Sequence, residues 1–152
     1  MALTLCYEDS TQAIADAMAI IRQEWPDRDL LQWAESPDWV AGHAHWWHVW
    51  DDGRWLGYMA AVDRGRDRWV FHFGCRRQFD RPRVMLEAWA IFLSVAKINH
   101  IRLLAAYIPL ERPEIRRAAR IFNFRRFSTT LWVYSVEQKC RQCRPHPNQR
   151  RQ

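Results

Sequence analysis

Between residues 84 and 96 the chain carries a single charged side chain, Glu87, while Val84, Met85, Leu86, Trp89, Ile91, Phe92, Leu93 and Val95 cover almost the whole circumference of a helix. A helix that is apolar nearly all round has to be enclosed, and this run is well short of the ~20 residues that would let a bilayer enclose it. No membrane partner is expected, so the helix needs a sheet to lie against. The next segment, IRLLAAYI over 101–108, is a continuous apolar run, the pattern of a strand covered on both faces. A buried helix followed at once by a buried strand restricts the chain to a layered domain of helices on a sheet.

The 152 residues fit one such domain. Ten tryptophans and seven phenylalanines supply its apolar area, since each buried aromatic removes roughly 150–250 Å² from water, and some are candidates to face a partner instead. The net charge of +6 resembles a nucleic-acid signal until it is divided along the chain. Over 137–152, Lys139, Arg141, Arg144, Arg150 and Arg151 oppose Glu137 alone, a net +4 that leaves +2 for residues 1–136. The expected organisation is a nearly balanced domain, 1–136, and a basic tail, 137–152. Such a tail suits an arm laid on an acidic protein surface, an arm on nucleic-acid phosphates, or solvated chain. The start, MALTLCYEDS, has no basic region followed by an apolar core, so four cysteines read as reduced thiols in a cytoplasm.

Along the chain, residues 3–7 alternate as a short strand. Ser10 is placed to cap a helix over 11–24 that Trp25-Pro26 ends, and a shorter helix is expected over 27–35, closed by Ser36-Pro37. From 44 to 63 the pattern turns to a hairpin around DDG, with a third strand over 67–73. Asp80 or Arg81 then caps the apolar helix near Pro82, a residue that suits a first turn. After the buried strand comes a helix over 113–122. Its inner stripe is Ile115, Ala118, Ala119 and Phe122, with Arg116, Arg117 and Arg120 turned away, and Asn123 stands where a helix stops with positive φ. A final strand or pair of strands occupies 127–136.

The stretch FGCRRQFDRPRV, 73–84, joins a strand end to a helix start through four arginines. The element order, with VFHFGCRRQFDRPRVMLEAWAIFLSVAK followed by IRLLAAYIPLERPEIRRAARIFNFRRFSTTLW, resembles the GNAT acetyltransferase superfamily, and in particular the divergent GNAT-like proteins of tailed bacteriophages. The resemblance implies an α+β fold with a mixed, mostly antiparallel sheet flanked by helices. It also implies acetyl-CoA bound where two parallel strands splay apart, its pyrophosphate on a loop with two small residues whose backbone N–H groups face the anion. Counted from Gln78, those small positions fall on Arg81 and Arg83; counted from Arg77, they fall on Asp80 and Pro82. Neither register has a glycine. Gly74, Cys75, Arg76, Arg77, Arg81 and Arg83 are the candidate cofactor-binding residues, the arginines substituting side-chain contacts for backbone ones, and their bulk is expected to fill the cleft. The family's acid, a tyrosine four residues before its Gly-Phe turn, corresponds to Ala119, and Asn123-Phe124 replaces Gly-Phe. His72 is the candidate base, with Asp67 at the strand's edge as the nearby carboxylate.

Other constellations are weaker. His43 and His45 fall on one side of a strand and His48 on the other, so they do not converge on a metal. Cys140, Cys143 and His146 resemble half of a zinc knuckle, and a redox pair or idle tail residues read as well. No metal site is assigned. Cys6 and Cys75 read as small packed residues.

The expected function follows from the degraded motif: a non-catalytic GNAT-fold protein that binds protein partners as a virion or assembly component, located in a host cytoplasm or a virion, with no cofactor. The alternatives are a divergent N-acetyltransferase using acetyl-CoA and a nucleic-acid-binding module acting through the basic tail.

Overall fold

The computed structural model describes residues 3–26, 37–79, 81–108 and 113–136. Strand β1 (Leu3–Glu8) leads into helix α1 (Thr11–Glu24), whose start is fixed by Ser10, its hydroxyl accepting the Ala13 N–H at 3.3 Å. Ile14, Ala17, Met18 and Ile21 make its buried stripe. The helix closes on Trp25, whose N–H reaches the Ile21 carbonyl at 3.0 Å, because the residue before Pro26 is excluded from helical geometry. The helix expected over 27–35 lies outside the described residues. Pro37 opens helix α2 (Pro37–His43), where the absence of an N–H costs nothing.

Strands β2 (Ala44–Asp51) and β3 (Arg54–Asp63) form the hairpin across left-handed Asp52 and Gly53. Strand β4 (Arg68–Cys75) runs two residues further at its C-terminal end than expected, so Gly74 and Cys75 belong to the strand and not to the turn. One 3₁₀ turn, Arg77–Phe79, then joins it to helix α3 (Pro82–Ile98). Arg81 is the extended N-cap residue of α3 and makes no side-chain capping bond, so the cap expected there is missing. Strand β5 (Leu103–Tyr107), helix α4 (Pro113–Ile121), the two-residue β6 (Arg125–Arg126) and β7 (Leu131–Ser135) complete the chain as described. Asn123 has the anticipated left-handed conformation, φ 65°, and stops α4.

The seven strands make one sheet in the order β1-β2-β3-β4-β5-β7-β6, antiparallel throughout except for β4 beside β5. This is the α+β arrangement that the sequence pattern implies. Each face is covered by helices. On one, α1 and α2 bury Trp46, Tyr58, Ala60, Val62 and Val70. On the other, α3 and the end of α4 lie over Trp47, Trp69 and Phe71, with Phe92 fully buried among aromatic rings 4.9–6.2 Å away. The tail, 137–152, lies outside the described residues. Among the described residues, no helix is long and apolar enough to cross a membrane.

Candidate functional site: the β4–β5 cleft and the arginine turn

Parallel strands β4 and β5 are paired over three rungs only, Arg68 with Leu103, Trp69 with Leu104 and Val70 with Ala105. Beyond Val70, β4 continues to Cys75 and β5 to Tyr107 without further pairing. The strands therefore diverge toward their C-terminal ends, and the edge of β4 that faces β5 has no strand partner there among the described residues. The other edge of β4 is held close to β3. Gly57 sits next to an irregularity in the β2–β3 register with φ 150°, and a Cβ on it would approach the Cys75 Cα at 2.9 Å. Gly74 lies under the Tyr58 ring, where a Cβ would meet Cζ at 2.8 Å. These contacts make glycine necessary at both positions.

Between strands β3 and β4 and the start of α3, with no β5 residue in its lining, is an apolar cleft of ≈ 340 Å³, counted to its open mouth, lined among others by Leu56, Phe73, Gly74, Val84, Met85 and Phe122. The expectation that arginine side chains fill the cleft is incorrect. None of Arg76, Arg77, Arg81 and Arg83 lines it; apolar side chains narrow it, with the Phe73 and Phe122 rings edge to face at 6.1 Å. Arg81 and Arg83 are exposed at the start of α3, and Arg83 is 3.5 Å from Glu87.

The turn does hold an anion, and the anion is part of the protein. Glu24, the last residue of α1, places Oε1 at 3.0 Å from both Arg76 Nε and Arg76 Nη2, and its Oε2 accepts the Arg77 backbone N–H at 3.0 Å. Trp25 completes the clasp: its indole N–H donates to the Cys75 carbonyl at 2.7 Å, and the Arg77 guanidinium stacks 4.7 Å from its ring centre. Two further donors are bonded within the turn, the Phe79 N–H to the Arg76 carbonyl at 2.9 Å and the Arg81 N–H to the Phe79 carbonyl at 2.7 Å. Pro82 has no N–H. The N–H groups of Arg77, Phe79 and Arg81, which a diphosphate would need, thus already have acceptors. With these three donors taken, the turn does not fit the coenzyme's phosphates as it stands.

His72 lies on β4 opposite Ala60, on the face that α1 and α2 cover. Burial, with a smaller contribution from the Arg64 charge, pushes its pKa down to about 3, so it is a neutral and weakly basic imidazole at pH 7. That corrects its assignment as a base poised near neutrality. Ala119 is buried on α4 and brings no acid to the cleft. Tyr107 escaped the sequence reading because it ends an otherwise apolar strand. It stands two residues beyond the last β5 rung, as His72 does on β4, so the two flank the divergence on one face. Its ring is half-exposed at 48%.

The remaining candidates have separate partners. The His43 ring stacks on Trp39 at 4.4 Å at the end of α2, outside the strand. His45 Nδ1 is 3.3 Å from the Tyr7 hydroxyl. His48 accepts the Trp55 indole N–H at 3.0 Å and has Glu8 at 3.7 Å on its other nitrogen. Asp67 is a left-handed turn residue whose carbonyl accepts the N–H groups of Arg102 and Leu103. Cys140, Cys143 and His146 lie outside the described residues.

No protein-family model matches the chain, and neither does any curated protein sequence. Solved structures do. An acetyltransferase of the GNAT family from Staphylococcus aureus superposes with a TM-score of 0.67 at 8% identity, over 90% of this chain and 100% of its own. YncA of Salmonella typhimurium, solved with its cofactor acetyl-CoA, gives 0.68 at 11% identity, over 90% and 95%. A chimera of the spermidine N-acetyltransferase SpeG of Vibrio cholerae gives 0.68 at 10% identity, over 90% and 95%. At such identities the likeness establishes the fold alone: this chain has the fold of the GNAT acetyltransferases.

Proposed function

We propose that this GNAT-fold protein does not transfer acetyl groups and works by binding protein partners, as a virion or assembly component of a tailed phage. One observation carries the reading: the Glu24 carboxylate occupies the Arg76–Arg77 turn, and the Phe79 and Arg81 N–H groups bond within the turn. An anion-binding turn functions through unpaired donors held toward the ligand, and here the Arg77, Phe79 and Arg81 N–H groups already have acceptors. A buried Ala119 where the fold's relatives resembled above carry an acid, and a His72 depressed to about 3, agree with it. The phage assignment rests on the resemblance of residues 70–132 to the GNAT-like proteins of tailed phages. Calorimetry with acetyl-CoA is expected to show no heat of binding. Micromolar affinity together with turnover of any amine acceptor would reject the reading.

The diverging strands, the apolar cleft and the exposed Arg81 and Arg83 at the positive end of α3 favour a second reading, a divergent acetyl-CoA-dependent N-acetyltransferase. On that reading Arg81→Glu abolishes coenzyme binding, and unchanged binding refutes it. Nucleic-acid binding through residues 137–152 is a separate proposal. It requires an affinity that falls steeply with salt and vanishes when those residues are removed.

A further inference from the structure

The other end of the sheet carries a feature that neither reading of the cleft uses. Helix α4 and strand β6 expose Arg117, Arg120, Arg125 and Arg126, with Arg116 partly buried, and among the described residues none of the five takes part in an ion pair. Three of them come together. Arg126 is directly opposite Trp132 in the β6–β7 pairing, so both side chains leave the same face. The Arg120 guanidinium is 5.7 Å from the Trp132 ring centre. Arg116 is one helical turn from Arg120 on the same stripe of α4.

Two buried atoms in this group lack a partner, Trp132 Nε1 and Arg116 Nε, and both are donors. Trp132 is 2% exposed, so water has little access to it. Buried donors left without acceptors are uncommon in folded proteins and call for one from outside. A carboxylate is acceptor-only and pairs with guanidinium groups through two oxygens. Ile121 and Phe127, 44% and 74% exposed, are next to Arg120 and Arg126 in sequence, so exposed apolar side chains border the arginines, a mixture found in protein interfaces.

We infer that this face, Arg116, Arg120 and Arg126 about Trp132, binds an acidic peptide segment of a protein partner. The inference rests on the protein-binding reading proposed above and names its surface and the chemistry of its partner.

The test uses the full chain and a fluorescein-labelled peptide of about a dozen alternating glutamate and glycine residues, followed by anisotropy. Single-stranded DNA of equal charge is run in parallel, and the Trp132 indole N–H resonance, assigned by its loss in Trp132→Phe, is monitored. The peptide is expected to bind more tightly than the DNA and to shift that resonance. Arg120→Glu/Arg126→Glu is expected to weaken binding about tenfold or more, as the loss of a charge-assisted contact does, while Arg141→Glu/Arg144→Glu in the tail leaves it within about twofold. Equal binding by the α4–β6 variant, loss of binding in the tail variant, preference for DNA, or an unmoved Trp132 resonance each overturns the inference. The resonance is read in the unsubstituted protein, so it decides the matter even where a double variant fails to fold. Acetyl-CoA turnover would instead refute the proposed function and leave the peptide result standing, so the two failures are separable.

Discussion

Replacing Glu24 by alanine removes three contacts at once: two from the Arg76 guanidinium to Oε1 and one from the Arg77 N–H to Oε2, each 3.0 Å. The side chains are 24% and 34% exposed, which places the cluster between a surface pair, worth ~0.2–1 kcal/mol, and a buried charge-assisted hydrogen bond, worth ~1.5–3 kcal/mol. The expected loss is about 2 kcal/mol, and for a domain of this size each kcal/mol moves Tm by roughly 2–4 °C, giving a fall of about 4–8 °C by calorimetry. Glu24→Gln keeps an acceptor for Arg77 and loses the charge, so it should fall about half as far. The same change opens the turn: Arg76 and the Arg77 N–H lose their acceptor and become available to an added anion. Pyrophosphate should therefore raise the Tm of Glu24→Ala and leave that of the parent protein unchanged. A parent protein stabilised by pyrophosphate as strongly as the variant, or a variant with unaltered Tm, would show that Glu24 does not occupy the anion site.

Three further outcomes follow from the same geometry. Gly74→Ala places a methyl group against Tyr58, a buried ring stacked 4.0 Å from Trp46 that has nowhere to move, and urea denaturation should register a loss of about 1–3 kcal/mol, the usual result of overpacking. Phe92→Ala empties the centre of the aromatic cluster on the α3 face and should cost ~3–5 kcal/mol in the same assay. His72 has a folded pKa depressed to about 3, so below pH ~6.5 the unfolded chain takes up a proton that the folded one refuses. Its contribution to stability is complete above that pH and is lost by about 1.4 kcal/mol per pH unit down to about 3. His72→Gln should flatten this part of the pH–stability profile, and an unchanged slope would mean that another group causes it.

Much of the fold was legible because it depends on local chemistry. Ser10 and Trp25-Pro26 bound α1, Asn123 stops α4, the DDG turn makes the hairpin, and the uncharged run of α3 demands a sheet; each acts over a few residues or through a periodicity. The helix over 37–43 was not anticipated, because a proline after a helical pattern signals an end as readily as a start. Strand β4 was cut short because glycine and cysteine carry little strand signal. The absence of phosphate-binding glycines was also plain in the sequence, but its consequence was not.

The amino-acid order alone determined that the helix over 84–96 and the strand over 101–108 are buried and hence that helices must cover a sheet, because burial follows from apolar spacing along a single element; the mixed strand order was what the family resemblance implied. Only the tertiary structure decided what the arginine turn holds and what narrows the cleft. Glu24 meets Arg76 and Arg77 across more than fifty intervening positions, and Phe73 meets Phe122 from different elements. Whether a guanidinium faces solvent, a cleft or a carboxylate depends on which distant side chain the fold brings within about 3 Å of it, the range over which a hydrogen bond acts, and no pattern along one segment contains that distance.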